Sequence, residues 1–228
     1  MRVDVAFTPG EAVQAPVGVV VDVLRATSTI AQALDAGYPR VLCCLEIDEA
    51  RAVRDQLGEG LLGGERDAVQ IEGFDVGASP REFLEPRPEP LILSTTNGTR
   101  TILTAAERCD DVLLGSLLNL DALTAALRER GQDVAILCAG FKGAFALDDA
   151  YCAGRIVQRL EEATRSDSAI AAEHVARAYP TALEGLNART YGPPGLEADI
   201  EFCARESVLQ TVPRFSRMVG PAAEIVPV

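Results

Sequence analysis

The sequence predicts a three-layer α/β/α fold around a predominantly parallel sheet, with a mixed sheet as the alternative. Strand-like and helix-like segments alternate along the chain from residue 2 to residue 163. The strand-like segments are short runs rich in Val, Ile and Leu, which is typical of strands buried on both faces. Polar and charged residues gather directly after these runs, where ligand sites lie in open α/β sheets.

The best-defined transition from strand to helix follows the β-branched run at Val19–Val21. A continuous run of this composition predicts a buried strand. Ile30 and Leu34 then recur at helical spacing, which predicts an amphipathic helix. We therefore expect a strand over residues 17–24 and a helix over residues 26–36.

The rest of the first two thirds divides in the same way, by apolar periodicity and by turn residues. The further predicted strands cover residues 2–8, 40–47, 61–66, 90–94, 111–115 and 133–138. The helices predicted between them cover residues 48–57, 99–108, 120–130 and 148–163. Residues 67–89 are rich in Gly and Pro and predict a loop with one short helical piece near residues 81–84.

After residue 163 the pattern changes from alternation to consecutive helices. These predicted helices cover residues 167–178, 181–187 and 196–207, and a last strand is predicted at 223–226. A Gly- and Pro-rich segment at 191–195 predicts a flexible joint. We interpret residues 1–228 as a single α/β domain, in which residues 163–210 form either an outer layer or a cap.

Composition narrows the classes of partner and compartment. The chain has 228 residues and a formal net charge of −13 at pH 7, which argues against nucleic acid or an anionic membrane as the main partner. No apolar run approaches the roughly 20 residues that span a bilayer. The six cysteines show no C-x-x-C spacing, so we expect reduced thiols and a cytoplasmic location.

Several well-known catalytic motifs are absent from the sequence. It contains no P-loop, no dinucleotide-binding fingerprint and no nucleophile elbow. Cys138 is not followed by the Arg that would close a Cys-x5-Arg phosphate loop. His174 is the only histidine, which argues against a multi-histidine zinc site and against histidine-based catalysis.

Asp22 and Arg25 lie at the turn between the strand and the helix described above. This position places a carboxylate and a guanidinium where the N-terminus of a helix offers free N–H groups. Thr27 follows in the first helical turn and is a further candidate for binding an anion. The simpler interpretation is that Asp22 and Thr27 only cap the helix.

The segment 94–100 is the strongest candidate for an anion site. Small hydroxyl residues and a glycine follow a buried strand there, which allows several N–H groups to turn toward an anion. The predicted binding residues are Thr95, Thr96, Asn97, Gly98, Thr99 and Arg100. The alternative is a hairpin turn at Asn97 and Gly98.

Three carboxylates, Asp22, Glu65 and Asp75, are candidates for catalysis or for binding a divalent cation. Mg²⁺ takes oxygen ligands and commonly uses one or two carboxylates together with water and substrate. Asp22 and Asp75 are the preferred pair, because Asp22 ends a buried strand and Asp75 lies in a glycine-flanked turn. Asp148 and Asp149 are expected to complement the dipole of a helix N-terminus instead.

Taken together, several motifs resemble the 2-phosphosulfolactate phosphatase (ComB) family. They are D-V-L-R-A-T-S-T at 22–29, G-E-R at 64–66, G-F-D-V-G at 73–77, S-P at 79–80, T-T-N-G-T at 95–99 and C-A-G at 138–140. They occur in the order of the family over about residues 3–210, which is nearly the whole chain.

This resemblance implies a cytoplasmic, Mg²⁺-dependent phosphatase that converts 2-phospho-3-sulfolactate to sulfolactate and phosphate, as in coenzyme M biosynthesis. In this hypothesis Asp22 and Asp75 hold the Mg²⁺, and Glu65 orients the attacking water or binds the metal. The phosphate-binding residues would be Arg25, Thr27 and Thr95 to Thr99, and the residues that meet the sulfonate or carboxylate would be Arg66 or Arg100.

Two alternatives stay open at this stage. One is a non-catalytic protein that binds a phosphorylated ligand through the same arginines and N–H groups. The other is a phosphatase of a different phospho-hydroxyacid. In each case the expected partner is a small anionic phosphate ester, and assembly into a homo-oligomer is compatible with the sequence.

Overall fold

The computed structural model describes residues 1–190, 192 and 194–228, and these residues form a mixed α/β structure. The strands are β1 (Arg2–Ala6), β2 (Val17–Val21), β3 (Val41–Cys44), β4 (Leu61–Arg66), β5 (Val69–Gln70), β6 (Leu91–Ser94), β7 (Asp111–Gly115), β8 (Val134–Cys138), β9 (Thr164–Arg165), β10 (Pro213–Val219) and β11 (Ala222–Pro227). The helices are α1 (Ala26–Asp35), α2 (Ile47–Leu57), α3 (Gly98–Arg108), α4 (Leu120–Arg130), α5 (Leu147–Arg159), α6 (Asp167–Ala178), α7 (Ala182–Asn187) and α8 (Glu197–Cys203), with a 3₁₀ helix at Pro80–Glu82.

One sheet contains all of these strands, in the order β5-β4-β6-β3-β11-β10-β7-β2-β8-β1-β9. Two groups of parallel strands, β3-β4-β6 and β7-β2-β8-β1-β9, are joined through the antiparallel hairpin β10–β11. The predicted α/β class with a mostly parallel sheet is therefore confirmed, and the sheet is mixed.

The sheet reverses its strand direction between the two parallel groups, because the hairpin introduces three successive antiparallel pairings. Neighbouring strands also rotate by roughly 20–25° each. Over the six steps from β2 to β4 this rotation offsets much of the reversal. The carboxyl ends of both groups consequently reach the same cavity, which is described below.

Alternating side chains bury the two faces of the sheet separately. Val20 packs with Ile30 of α1 and Ile102 of α3, whereas its neighbour Val19 packs with Ile156 of α5. The second parallel group has its own outer helix, since α2 packs against the far faces of β3, β4 and β6. Helices α1 and α3 thus lie between the two groups of strands, while α2, α4 and α5 cover the outer faces.

The C-terminal third supplies both helices and the central hairpin. Helices α6 and α7 pack against α5, and α8 packs against the 3₁₀ helix. The predicted helix at 196–207 is shorter than expected and ends at Cys203. Of the predicted joint at 191–195, residues 191 and 193 lie outside the described part of the chain. No helix among the described residues is both long enough and apolar enough to cross a bilayer.

Strand β10 was not predicted, because it lacks the apolar alternation of a half-buried strand. Arg214 and Arg217 point outward from it, and most of its other side chains are at least partly exposed. These arginines are nevertheless held by carboxylates, at 2.6 Å from Asp111 and 2.9 Å from Glu224. The hairpin is therefore fixed in the sheet partly by ion pairs that no periodicity indicates.

We expect Gly154→Ala to reduce the free energy of unfolding by about 1–3 kcal/mol. A Cβ at Gly154 would overlap the Ala172 carbonyl, so α5 and α6 would have to separate. The better helix propensity of alanine recovers only about 1 kcal/mol. Urea unfolding measures the change, with Gly10→Ala as the control, since an added Cβ there would lie 3.9 Å from the nearest atom. Equal unfolding midpoints for the two variants would contradict the close helix packing.

Candidate active site

A cavity of about 70 Å³ lies at the carboxyl ends of β2, β4, β6 and β8. Its polar lining residues are Asp22, Arg25, Glu65, Asp67, Thr95, Thr96, Asn97, Lys142, Asp148, Asp149 and Arg189. The cavity therefore brings together six of the residues predicted from the sequence, namely Asp22, Arg25, Glu65, Thr95, Thr96 and Asn97.

The first turns of two helices meet at Asp22, which directly follows β2 and is buried. Its Oδ1 accepts a hydrogen bond from the N–H of Ala26, at the start of α1, at 3.3 Å. A Cβ added to Gly98, the first residue of α3, would lie 2.9 Å from Asp22 Oδ2 and would overlap the Cβ of Ala26. Glycine at this position thus allows both N-termini to approach the carboxylate.

Asp148 and Asp149 do occupy the first turn of α5, where they were expected to complement the helix dipole. Both are also buried and line the cavity. Asp149 accepts hydrogen bonds from the N–H groups of Val23 and Gly140, each at 2.9 Å. The carboxylate of Asp149 therefore ties the turn after β2 to the turn after β8.

Crowding of carboxylates changes their acidity. Burial raises the pKa of Asp22 to about 7, and the charges of Glu65 and Asp148 add to the rise, while the Ala26 N–H opposes it. Burial, followed by repulsion from Asp148 and Asp22, raises the pKa of Asp149 well above its usual range. With no cation in the cavity, this cluster is stabilised by protonation.

Arg25 is held from the C-terminal third of the chain. Its Nη1 lies 2.6 Å from Oδ2 of Asp199 on α8, and both side chains are less than 10% exposed. The other carboxylate oxygen of Asp199 accepts a hydrogen bond from Ser79 Oγ at 2.5 Å. Arg25 Nη2 also donates to the Ala68 carbonyl at 3.4 Å. The guanidinium thus has a fixed position in the cavity wall.

Glu65, at the end of β4, organises two loops rather than pointing free into the cavity. Its Oε1 accepts hydrogen bonds from the N–H and the hydroxyl of Thr96, at 2.9 and 2.8 Å. Its Oε2 accepts one from the Ala68 N–H at 2.7 Å. Glu65 therefore positions the turn before α3 as well as the loop that contacts Arg25.

The predicted pairing of Asp22 with Asp75 is wrong, because Asp75 does not line the cavity. Asp75 Oδ2 accepts a hydrogen bond from the N–H of Leu62, near the beginning of β4, at 2.8 Å. It also lies 3.5 Å from Nη1 of Arg54 on α2. The glycine-flanked turn returns along β4, so it places this carboxylate away from the carboxyl ends of the strands.

Arg66 was also assigned incorrectly, since its guanidinium serves the protein backbone. It donates to the carbonyls of Glu65 and Leu45, at 2.8 and 3.0 Å, and to Ser94 Oγ at 3.0 Å. These bonds join the ends of β3, β4 and β6. Arg66 does not line the cavity.

Thr27, Gly98, Thr99 and Arg100 also differ from the prediction that they contact the ligand directly. Thr27 is buried, and its hydroxyl donates to the Asp22 carbonyl at 2.9 Å and accepts from the Asp22 N–H at 3.2 Å, so it holds the turn after β2. Thr99 is buried with its hydroxyl 3.5 Å from that of Thr95. Arg100 is exposed and lines an adjacent cleft that shares Thr96 with the cavity. Gly98 contributes through its small size and its place at the start of α3.

Two cavity residues were missed as functional candidates. Arg189 lies in the loop after α7, distant in sequence from every predicted strand end. Asp67 follows β4 and pairs with Lys142 at 2.8 Å, and this lysine holds the pKa of Asp67 below its usual range. No sequence pattern marked Arg189, whereas the acidic-basic spacing around Asp67 gave a weak signal only.

The side chains that the structure describes decide which metal ion could bind. Among them, no group of three or more His, Cys, Asp or Glu side chains is arranged to hold a metal ion by itself. The carboxylates that do line the cavity supply hard oxygen donors only. Such a set suits Mg²⁺, which commonly takes one or two carboxylates and fills its other positions with water and substrate.

Comparison with known proteins agrees with this geometry. The profile of the family described as 2-phosphosulpholactate phosphatase matches residues 5–217. A probable 2-phosphosulfolactate phosphatase of Thermus thermophilus is 40% identical over 233 residues, covering 97% of this chain and 98% of the relative. Proteins of the same description from Symbiobacterium thermophilum and Clostridium acetobutylicum are 39% and 36% identical, covering 93% and 90% of this chain and 96% and 92% of the relatives.

Carboxylates, a fixed arginine and two helix N-termini converge where parallel strands end. Together with the family match, they identify this α/β protein as a phosphoric monoester hydrolase. Within that class, the chain belongs to the 2-phosphosulpholactate phosphatase family.

We expect Asp22→Asn to remove part of the pH dependence of stability of the metal-free protein. The folded pKa of Asp22 is raised from 3.8 to about 7, so the folded state binds a proton more tightly than the unfolded state. Stability is therefore lost as the pH rises from about 4 through 7, on the order of 2 kcal/mol between pH 5 and pH 8. Urea unfolding in EDTA at these two pH values measures the loss in wild type and variant. An identical loss in both proteins would show that Asp22 titrates normally.

Proposed function

We propose that this protein is a Mg²⁺-dependent phosphatase that hydrolyses 2-phospho-3-sulfolactate, or a closely similar multiply anionic ester, to the hydroxyacid and phosphate. The observation that supports it most is the meeting of the α1 and α3 N-termini at the buried carboxylate of Asp22. The description of the relatives supports the substrate.

The phosphate group would bind at the two helix N-termini. N–H groups that lack partners within a helix carry partial positive charge and can donate hydrogen bonds to anions. The turn that contains Thr95, Thr96 and Asn97 lines this side of the cavity, and Glu65 fixes it through Thr96. Arg25 would supply a guanidinium to the phosphoryl oxygens, held in place by Asp199.

Backbone groups alone are too weak for the reaction. Hydrolysis of a phosphate monoester requires an acceleration of up to about 10²¹-fold, on the order of 28 kcal/mol. One helix N-terminus contributes only about 1 kcal/mol toward a charged group. A divalent cation supplies the missing part when it is bound, by neutralising phosphoryl oxygens and acidifying a water molecule.

The residues of the cavity fit such a cation. Among the described residues, five carboxylates and three cationic side chains line it, a formal excess of two negative charges. Burial first, and repulsion from neighbouring carboxylates after it, raise the pKa values of Asp22 and Asp149. Asp22 and Asp148 would hold the Mg²⁺, since both are buried carboxylates that line the cavity. Both oxygens of Asp149 accept backbone hydrogen bonds. Asp149 would orient the turns on either side.

The other residues around the cavity would contribute by holding these groups in place. Glu65 accepts hydrogen bonds from Thr96 and Ala68 and so would hold both loops beside the phosphate site. Burial of Asp22 and Asp149 excludes water except along the open side of the cavity, which strengthens every charge interaction inside. The cytoplasmic location stays a prediction, and the six buried free cysteines are in the state that a reducing compartment maintains.

We expect phosphate release from 2-phospho-3-sulfolactate to require Mg²⁺ and to stop in EDTA. Asp22→Asn should lower kcat/KM by at least about 100-fold, because it removes one charged ligand of the cation. Asp75→Asn is the matched control and should stay within about threefold of wild type, since Asp75 lies outside the cavity. Turnover that is unaffected by EDTA would contradict the role of the metal.

The same assay separates the two alternatives. Calorimetric binding of the ester without phosphate release over hours would favour a phospholigand-binding protein. A higher kcat/KM for another phospho-hydroxyacid would change the substrate and leave the reaction class intact.

We expect Arg25→Lys to lower kcat/KM by about 10- to 100-fold, although lysine keeps the positive charge. Lysine cannot donate to Asp199 and to a phosphoryl oxygen through one rigid fork. Arg81→Lys is the control, because Arg81 also faces Asp199, at 3.8 Å, but is half exposed and does not line the cavity. Equal rates for the Arg25 and Arg81 variants would place the phosphate elsewhere.

A further inference from the structure

Three cationic side chains among the described residues line the cavity, and they differ in how their charge is balanced. Arg25 is paired with Asp199 at 2.6 Å. Lys142 is paired with Asp67 at 2.8 Å. Arg189, in contrast, has no carboxylate within ion-pair distance in the described part of the chain. The Arg189 guanidinium is thus left without a counter-charge from the residues that the structure describes.

The position of Arg189 is nevertheless defined. It lies two residues after the end of α7 and is half-buried. A Cβ at Gly192 would lie 2.6 Å from Arg189 Nη1, and Gly192 has a φ of +104°, which side-chain-bearing residues rarely adopt. The backbone there lies directly against the guanidinium. Leu196 lines both the cavity and the neighbouring surface cleft beside Arg189.

We infer that Arg189 is the specificity-determining residue for the anionic group that the substrate carries away from its phosphate, a sulfonate in the ester proposed above. This inference rests on the proposed function of the same cavity. The phosphate is bound at the α1 and α3 N-termini, so Arg189 approaches the ester from a different segment of the chain.

The chemistry of the group fits a guanidinium. A sulfonate keeps its negative charge at every physiological pH and presents oxygens that a planar fork can bind in pairs. An unpaired guanidinium that loses water on binding gains most from a fully charged partner. An ester with a methyl group in place of the sulfomethyl group keeps its carboxylate but offers Arg189 no sulfonate.

Arg100 is the competing candidate, because it too has no carboxylate partner among the described residues. It lies on α3 and lines the cleft beside the cavity, together with Lys142. It does not line the cavity that contains Asp22 and Arg25. Arg189 thus lines the same cavity as Asp22, where the phosphate would bind, whereas Arg100 lines only the adjacent cleft.

The test compares two esters, 2-phospho-3-sulfolactate and 2-phospholactate, which differ only in the sulfonate. We expect Arg189→Ala to reduce the ratio of their kcat/KM values by about 10- to 100-fold, the usual effect of deleting a charge-assisted contact. The loss should be in KM, because the contact is made equally in the ground and transition states. Arg189→Lys should recover part of the ratio.

Two control variants show whether a change in this ratio is due to Arg189. Arg205→Ala removes another arginine of the C-terminal third, one that is exposed and stacks on Phe202, and should leave the ratio unchanged. Arg100→Ala tests the adjacent cleft. A ratio that falls in Arg100→Ala and not in Arg189→Ala would overturn the inference, as would an equal loss on both esters in Arg189→Ala.

A direct measurement of binding tests the role of Arg189 independently of the proposed reaction. If wild type releases no phosphate from either ester, calorimetry with 3-sulfolactate and with lactate still tests Arg189. Weaker binding of 3-sulfolactate to Arg189→Ala by about tenfold, with no such change in Arg205→Ala, supports the contact even though the catalytic proposal has failed. Equal binding to wild type and Arg189→Ala overturns it.

Discussion

Repulsion among buried carboxylates is the constraint on which the rest of this structure depends. Asp22 directly follows β2, and Asp148 and Asp149 lie in the first turn of α5, which follows β8. The parallel pairing of β2 with β8 places these two connections side by side. Their burial is costly unless charge is supplied from outside the cluster. The helix N-termini, the Arg25 guanidinium and backbone N–H groups supply part of it. The uncompensated remainder is the physical basis of the proposal that a divalent cation and an anionic ester bind together in this cavity.

The cavity also depends on the unusual centre of the sheet. Without the β10–β11 hairpin, the two parallel groups would join directly, and α1 and α3 could not lie between them. The hairpin comes from the end of the chain, so the arrangement that brings the ends of β2 and β4 to one cavity includes the last strands. Ion pairs of Asp111 and Glu224 with arginines hold the hairpin in the sheet. Fold and site therefore depend on the same hairpin.

The sequence predicted most of the fold, because its buried strands are continuous apolar runs and its helices are amphipathic. It failed at β10, whose exposed arginines carry no alternation. In the cavity, Asp22, Arg25 and Glu65 agree with the prediction that polar residues at the carboxyl ends of strands come together. Asp75 was misplaced, because its turn doubles back along β4 and a sequence shows no such reversal. Long-range partners such as Asp199 are set by tertiary packing, which local patterns do not record.

The distribution of charge explains how so acidic a chain can bind an anion. The net charge of −13 repels a multiply negative ester at long range, yet screening at physiological ionic strength limits this repulsion to about 8 Å. Inside the cavity the relevant balance is local, and it is close to neutral once a divalent cation is present. Arg25 and Lys142 are already paired with protein carboxylates, so they shape the wall without adding net charge. In the proposed function, attraction for the ester would come from the cation, the helix N-termini, the phosphate contact of Arg25 and Arg189, so binding of the substrate would depend on binding of the metal.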